Sequence, residues 1–212
     1  MIRVLIADDH PIVRRGLMQI VAGQSDLAVA AECGDGEEAL RLVETRPLDV
    51  AVLDIGMPGL SGLEVLTRLR ARHPNLPVLI LSGYPESELA VRVLKAGAAG
   101  YLNKEMAPEE LVAAIRRVAA GRRYVSPAVA ELLAGSVAGA GEPPHAALSD
   151  REYAVLLAIA SGRTVTEIAH DMNLSVKTVS TYRTRVLEKM SMRNNAELMR
   201  YVVHQGLSAK GV

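Results

Sequence analysis

Four short apolar runs in the first half of the chain lead into residues able to handle a phosphoryl group. Asp8 and Asp9 follow IRVLIA (2–7), Asp54 follows DVAVL (49–53), Ser82 follows PVLIL (77–81), and Lys104 stands just after AAGYL (98–102). Three carboxylates brought together would suit a hard divalent cation such as Mg2+, which takes few carboxylates and keeps several waters. A carboxylate is also a possible covalent nucleophile toward phosphorus. In such a site Lys104 supplies a point charge to phosphoryl oxygens, Ser82 a hydroxyl hydrogen bond, and Gly83 an open approach. A single aspartate at a strand end is ordinarily a turn or cap residue. The full set, spread over four strand ends, marks convergent ionisable groups and hence a site. His10 has no second His or Cys nearby and reads as structural or surface.

The elements that must position these residues are legible as texture. The runs at 2–7, 27–33, 49–53, 77–81 and 98–102 are nearly continuous in apolar residues, as strands covered on both faces require. Between them lie stretches of helical period: Leu40 and Val43 after a Gly-rich start at Gly34–Gly36, then Leu63, Leu66 and Leu69, and later Leu111, Ala114, Ile115 and Val118. Strand and helix alternating five times predict a doubly wound α/β domain over 1–120, with a five-stranded parallel sheet. In such sheets the ligand site lies outside the carboxyl ends of the strands.

Residues 121–147 read as a linker. Ser126-Pro127 can start a short helix near 126–134, and SVAGAGEPPHAA (136–147) has little to bury and reads as a tether. From Leu148 the pattern is helical only. Ser149 with Glu152, and Thr164 with Glu167, form capping boxes, and Ser175 is a third N-cap. Four helices are predicted, near 149–160, 164–172, 175–190 and 194–205, an all-α domain over 148–212. In the third of these, Val179, Tyr182, Val186 and Met190 make a buried face. Lys177, Ser180, Thr181 and Thr184 face the other way, flanked by Arg183 and Arg185. That is the build of a recognition helix: apolar inward, short donors and cations outward, in a major groove about 12 Å wide; a solvated amphipathic helix and a protein-docking helix are the rival readings of the same pattern.

Charge supports this division. The whole chain has a net charge of zero, but residues 1–120 carry 13 Lys/Arg against 16 Asp/Glu, while residues 148–212 carry 9 against 6. An acidic first part suits a cation site and a basic last part suits phosphate contacts. The single cysteine, Cys33, excludes an internal disulfide or a thiolate metal cluster. No apolar stretch approaches the roughly 18 residues of a membrane span, and the N-terminal apolar run is too short for a signal peptide, so a cytoplasmic protein without membrane contact is expected.

The motifs VLIADDH, LDIGMPGLSGLE, LILSGY and GAAGYLNK resemble those of response-regulator receiver domains, over about residues 1–120. The segment from LSDRE through SGRT, EIA and LSVKTV to RNNAEL resembles the LuxR-type helix-turn-helix, over about 148–207. Together they are similar to the NarL/FixJ family of two-component response regulators. The resemblance implies Asp54 as phosphoacceptor, Asp8, Asp9, Asp54 and the Gly56 carbonyl as Mg2+ ligands, and Ser82, Tyr101 and Lys104 as phosphoryl-sensing and switch residues. Glu105 departs from the pattern, because many receivers have proline after the lysine. For DNA, Lys177, Ser180, Thr181 and Thr184 are expected at base edges, with Thr178 in the same set, and Arg183 and Arg185 at phosphates. Leu198, Tyr201 and Val202 share one face of the last helix; the resemblance implies that they pair in a dimer, the alternative is that they close the small helical core, and the two roles are compatible. The implied partners are a sensor histidine kinase, double-stranded DNA with two half-sites, a second copy when phosphorylated, and RNA polymerase as a further candidate. The chain is then no enzyme, beyond slow Mg-dependent self-dephosphorylation. Rival readings are an aspartyl-phosphate hydrolase, a ligand-sensing LuxR-type regulator and a receiver that binds DNA regardless of phosphorylation. The first normally shows a D-x-D-x-T pattern after its first strand, where this chain has Asp8-Asp9-His10-Pro11.

Overall fold

The structure is a computed structural model, and it describes residues 1–83, 86–137, 143–172, 174–205 and 207. The chain divides into two compact units, Met1–Ala138 and Gly139–Val212. In the first, β1 (Ile2–Ala7), β2 (Leu27–Cys33), β3 (Val50–Asp54), β4 (Val78–Ser82) and β5 (Gly100–Asn103) form one parallel sheet in the order β2-β1-β3-β4-β5. Helices α1 (Pro11–Ala22), α2 (Gly36–Thr45), α3 (Gly62–Arg72), α4 (Glu86–Lys95) and α5 (Pro108–Ala119) alternate with the strands. Every residue of β3 and β4 is buried, which is why those runs show no polar alternation. The core on one side gathers Val4, Ile6, Val52, Leu79, Leu81 and Ile115.

Helix starts follow local rules. Pro opens α1 and α5 where its missing N–H costs nothing. Ser61 caps α3 in a box with Glu64. Gly62, the first residue of α3, is required by a close approach: a Cβ there would lie 2.2 Å from the Asp54 carbonyl oxygen. Its N–H donates to the Ile55 carbonyl at 3.1 Å, so α3 begins against the end of β3.

The segment after α5 is more ordered than a linker. Tyr124 bridges to Gly100 of β5, its N–H donating to the Ala99 carbonyl at 2.8 Å. Helix α6 (Pro127–Val137), which ends three residues beyond the predicted 126–134, packs on α4 with Val129 buried. The predicted tether 136–147 therefore begins inside a helix and ends in a 3-10 turn, Pro144–Ala147, within the second unit. Its centre, 138–142, lies outside the described residues.

The second unit holds α7 (Asp150–Ala160), α8 (Val165–Asp171), α9 (Val176–Lys189) and α10 (Asn195–His204). Both expected capping boxes are formed, Ser149 with Glu152 and Thr164 with Glu167, and Ser175 caps α9. The turn between α8 and α9 includes Asn173, outside the described residues, and closes with the Leu174 N–H on the Ala169 carbonyl at 2.8 Å. Tyr153, Leu156, Ile168, Val179, Val186 and Leu198 form the core.

Candidate functional sites

Parallel pairing brings the carboxylates together. Ala7 pairs with Leu53, which sets Asp8 opposite Asp54 at the carboxyl edge of the sheet. Asp54 pairs with Leu81 and Ser82 with Asn103, and the Lys104 N–H donates to the Ser82 carbonyl at 2.8 Å. Asp8, Asp54, Ser82 and Lys104, spread over nearly a hundred positions, thus meet at one edge. Ligand atoms of Asp8, Asp9, His10 and Asp54 lie within 4.8 Å of one another.

The electrostatics of this cluster are tense. Asp8, Asp54 and Ser82 are buried, and Asp8 is fully so. Lys104 Nζ sits 2.9 Å from Asp8 Oδ2 and 2.9 Å from Asp54 Oδ2; among the described residues no donor beyond that ion pair reaches either buried oxygen. Asp8 Oδ1 accepts from the His10 N–H at 2.8 Å. Burial pushes the Asp54 carboxyl up to about 6, Lys104 opposing and Asp8 reinforcing the shift. Burial pulls the Lys104 ammonium down, but the carboxylates of Asp54 and Asp8 outweigh it and leave it raised. Three carboxylates face one ammonium, which the buried oxygens of Asp8 and Asp54 must share. A divalent cation with oxygen preference fits that deficit.

The His10 side chain is exposed, as a surface role expects, and its Nδ1 lies 2.7 Å from Asp9 Oδ1 and 3.3 Å from Asp8 Oδ1. Gly56 is exposed two residues past Asp54, and a Cβ on it would lie 3.4 Å from Asp54 Oδ2, so its backbone passes close to the carboxylate. Tyr101 is buried in β5. Tyr84 of the LILSGY motif lies outside the described residues. Among the described residues no peptide bond is cis, so Lys104–Glu105 is trans.

On the second unit, α9 turns Val179, Val186 and Met190 inward, with Tyr182 half-buried. Lys177, Ser180, Thr181, Thr184 and Arg185 are exposed, and Thr178 is half-buried. Arg183 behaves otherwise than its spacing suggests: Nε donates to Asn195 Oδ1 at 2.7 Å and ties α9 to the start of α10. Val176, absent from the expected set, is half-exposed in the first turn. The buried Glu152 of the α7 capping box also takes Lys189 Nζ at 2.6 Å. Both ties join distant helices, and no local spacing signals them.

On α10 the expected pairing residues separate. Leu198 and Val202 are buried in the unit's own core, because one i, i+4 row must close against α7. Of the two readings, core closure holds for Leu198 and Val202, which leaves neither exposed for pairing. Tyr201 is half-buried, its hydroxyl 2.6 Å from His145 Nδ1. The large exposed apolar residues of α10 are Met199 and Val203.

Residues 4–116 match the family described as response regulator receiver domain, and residues 146–202 match bacterial regulatory proteins of the luxR family. The chain belongs to the two-component response regulators. The regulator is 38% identical to response regulator UvrY of Escherichia coli over 98% of this chain and 96% of that one. It is 40% identical to response regulator GacA of Pseudomonas protegens over 98% of each. Among solved structures it is similar to RcsB of Salmonella enterica serovar Typhimurium bound to promoter rprA in the presence of the phosphomimetic BeF3−, with 27% identity, a TM-score of 0.62, and coverage of 95% and 98%. The regulator thus joins a receiver domain to a LuxR-type DNA-binding domain and acts in transcription regulation, a non-enzymatic class. Among the described residues no helix is long and apolar enough to cross a membrane.

Proposed function

We propose that the regulator accepts a phosphoryl group on Asp54 from a sensor histidine kinase and thereby controls dimerisation and DNA binding. The observation that carries this is the buried Asp54 carboxylate, set opposite Asp8 with Lys104 Nζ 2.9 Å from both. An Asp54 oxygen forms the bond to phosphorus as the donor's bond to phosphorus breaks. Lys104 and the Ser82 hydroxyl receive the phosphoryl oxygens. Asp8, Asp9, Asp54 and the Gly56 carbonyl would hold Mg2+, which when bound supplies charge neutralisation for the incoming group. Tyr101, which pairs with Ile80 two residues before Ser82, responds to movement of Ser82 and Lys104.

On this reading the receiver extends over 1–120 with 121–147 as connection, and 148–212 binds DNA. Lys177, Ser180, Thr181 and Thr184 meet base edges, Thr178 supports them, and Arg185 meets phosphate. One helix-turn-helix covers one half-site, and half-sites lie about 34–36 Å apart or at multiples of that, so specific binding takes two copies. The pairing face combines Tyr201 with the exposed Met199 and Val203. RNA polymerase is the partner expected at a promoter, the cytoplasm is the expected location, and the phosphoryl group is lost by slow Mg-dependent hydrolysis.

The test is acetyl phosphate with Mg2+, read by intact mass. A gain of one phosphoryl group that vanishes in Asp54→Asn supports the assignment, and wild-type labelling of that variant refutes it. Sedimentation and duplex titration with and without the phosphodonor test the coupling. Equal oligomeric state and equal affinity would favour a regulator indifferent to phosphorylation.

A further inference from the structure

The outward face of α9 consists of two i, i+4 rows, Val176–Ser180–Thr184 and Lys177–Thr181–Arg185, and all six residues are exposed. The hydroxyls in these rows are partly committed. Thr181 Oγ1 donates to the Lys177 carbonyl at 3.0 Å, and Thr184 Oγ1 donates to the Ser180 carbonyl at 3.1 Å. A hydroxyl has one hydrogen, so these threonines offer the solvent a methyl group and acceptor lone pairs. The row through Val176 therefore presents an isopropyl group, one serine hydroxyl and a methyl group. It is an apolar strip with a cationic row beside it.

Scattered apolar surface residues are ordinary. Val176 differs by its position. It is 48% exposed at the first residue of α9, and the N-terminal residues of a recognition helix are those that contact base edges. The other exposed large apolar residues described in this unit, Met199 and Val203, sit together on α10. In the major groove one base presents an apolar group, the C5 methyl of thymine.

We infer that Val176 packs on a thymine methyl group in each half-site and is a specificity-determining residue for DNA. This rests on the reading of α9 as the recognition helix. Burying one methyl-sized group is worth about fourfold in affinity.

The experiment uses the full chain treated with acetyl phosphate and Mg2+. A binding site is first selected from a pool of random duplexes. Each thymine of the selected site is then replaced by deoxyuridine, in both half-sites together, and titrated by fluorescence anisotropy. Wild type should lose about fourfold per half-site at one thymine position. Val176→Ala, checked for native helicity by circular dichroism, should bind the thymine duplex more weakly by a similar factor. It should no longer distinguish thymine from uracil at that position, while keeping its preferences elsewhere. The inference is overturned if Val176→Ala retains wild-type discrimination at every thymine, or if wild type discriminates at none. Lys177→Ala and Ser180→Ala separate the two levels. If they also bind as wild type, the recognition-helix reading itself fails. If they weaken binding while Val176→Ala does not, the thymine contact alone falls.

Discussion

Replacing Asp54 by asparagine should stabilise the receiver when no metal is present. The carboxyl is buried, and its folded value of about 6 stands some two units above 3.8. Each unit corresponds to about 1.36 kcal/mol, so ionised Asp54 opposes folding by about 3 kcal/mol at neutral pH. The sign follows from linkage: a raised carboxyl disfavours folding above its folded value, and the penalty fades as pH falls toward 4. Asparagine keeps the shape and removes the charge, and Lys104 keeps Asp8 at 2.9 Å. Its amide must still be accommodated, so a net gain of about 1–3 kcal/mol is expected. Cys33 provides the assay. It is the chain's single cysteine, buried in β2, with burial pushing its thiol up to about 12. Pulse alkylation against urea therefore reports opening of the receiver alone. With a urea slope of about 1–3 kcal/mol/M, the midpoint in EDTA should move upward by about 1 M. Mg2+ at a hundredfold excess over its Kd adds about 2.7 kcal/mol to wild type and should close most of the gap. An Asp54→Asn midpoint equal to or below wild type in EDTA would refute the account of a charge-crowded site.

Four further substitutions test packing, pairing and DNA contact. Lys189→Met leaves the buried Glu152 with only its Ser149 bonds; because Lys189 is 41% exposed, the loss should be about 1–2 kcal/mol, a drop of several degrees in the helical unit's calorimetric transition. Against burial, Lys189 and Ser149 hold wild-type Glu152 below its ordinary value, so that stability is present above about pH 4.5 and fades on acidification, a dependence the variant should show more weakly. Arg183→Ala should lower the stability of the same unit by about 1 kcal/mol through loss of Asn195 without changing the salt slope of DNA binding. Arg185→Ala should do the reverse, shallowing the slope by about one unit. Gly62→Ala forces a methyl group against the Asp54 carbonyl and should destabilise the receiver by about 1–3 kcal/mol, read by Cys33 alkylation; an unchanged midpoint would show that α3 can slide.

The features legible in the sequence are those carried by short-range period and by strand ends. Apolar runs place β3 and β4 to within one residue, and parallel pairing then delivers Asp8, Asp54, Ser82 and Lys104 to one edge with no further information. Helix caps are equally local, hence the agreement at Ser149, Thr164 and Ser175. What period cannot carry is the identity of a distant partner. Arg183 looks like a phosphate contact until Asn195 is seen beside it, and Glu152 looks like a plain capping residue until Lys189 arrives from 37 positions away. The Ala/Leu/Gly composition of α6 reads as connection because its packing surface belongs to α4.

Helix α10 shows the same limit most sharply. Leu198 and Val202 form one i, i+4 row, and Met199 and Val203 form the adjacent one. The sequence offers two neighbouring apolar rows and no rule for which faces inward. The position of α7 decides it, closing the core over Leu198 and Val202 and leaving Met199 and Val203 outside. A pairing surface read from the sequence therefore slips by one residue, and in a helix that is a rotation of about 100°. The physical consequence is a clean separation of effects. Changes at Leu198 or Val202 act through the stability of the monomer, whereas polar replacements at Met199 or Val203 leave the fold intact and act on whatever surface α10 meets.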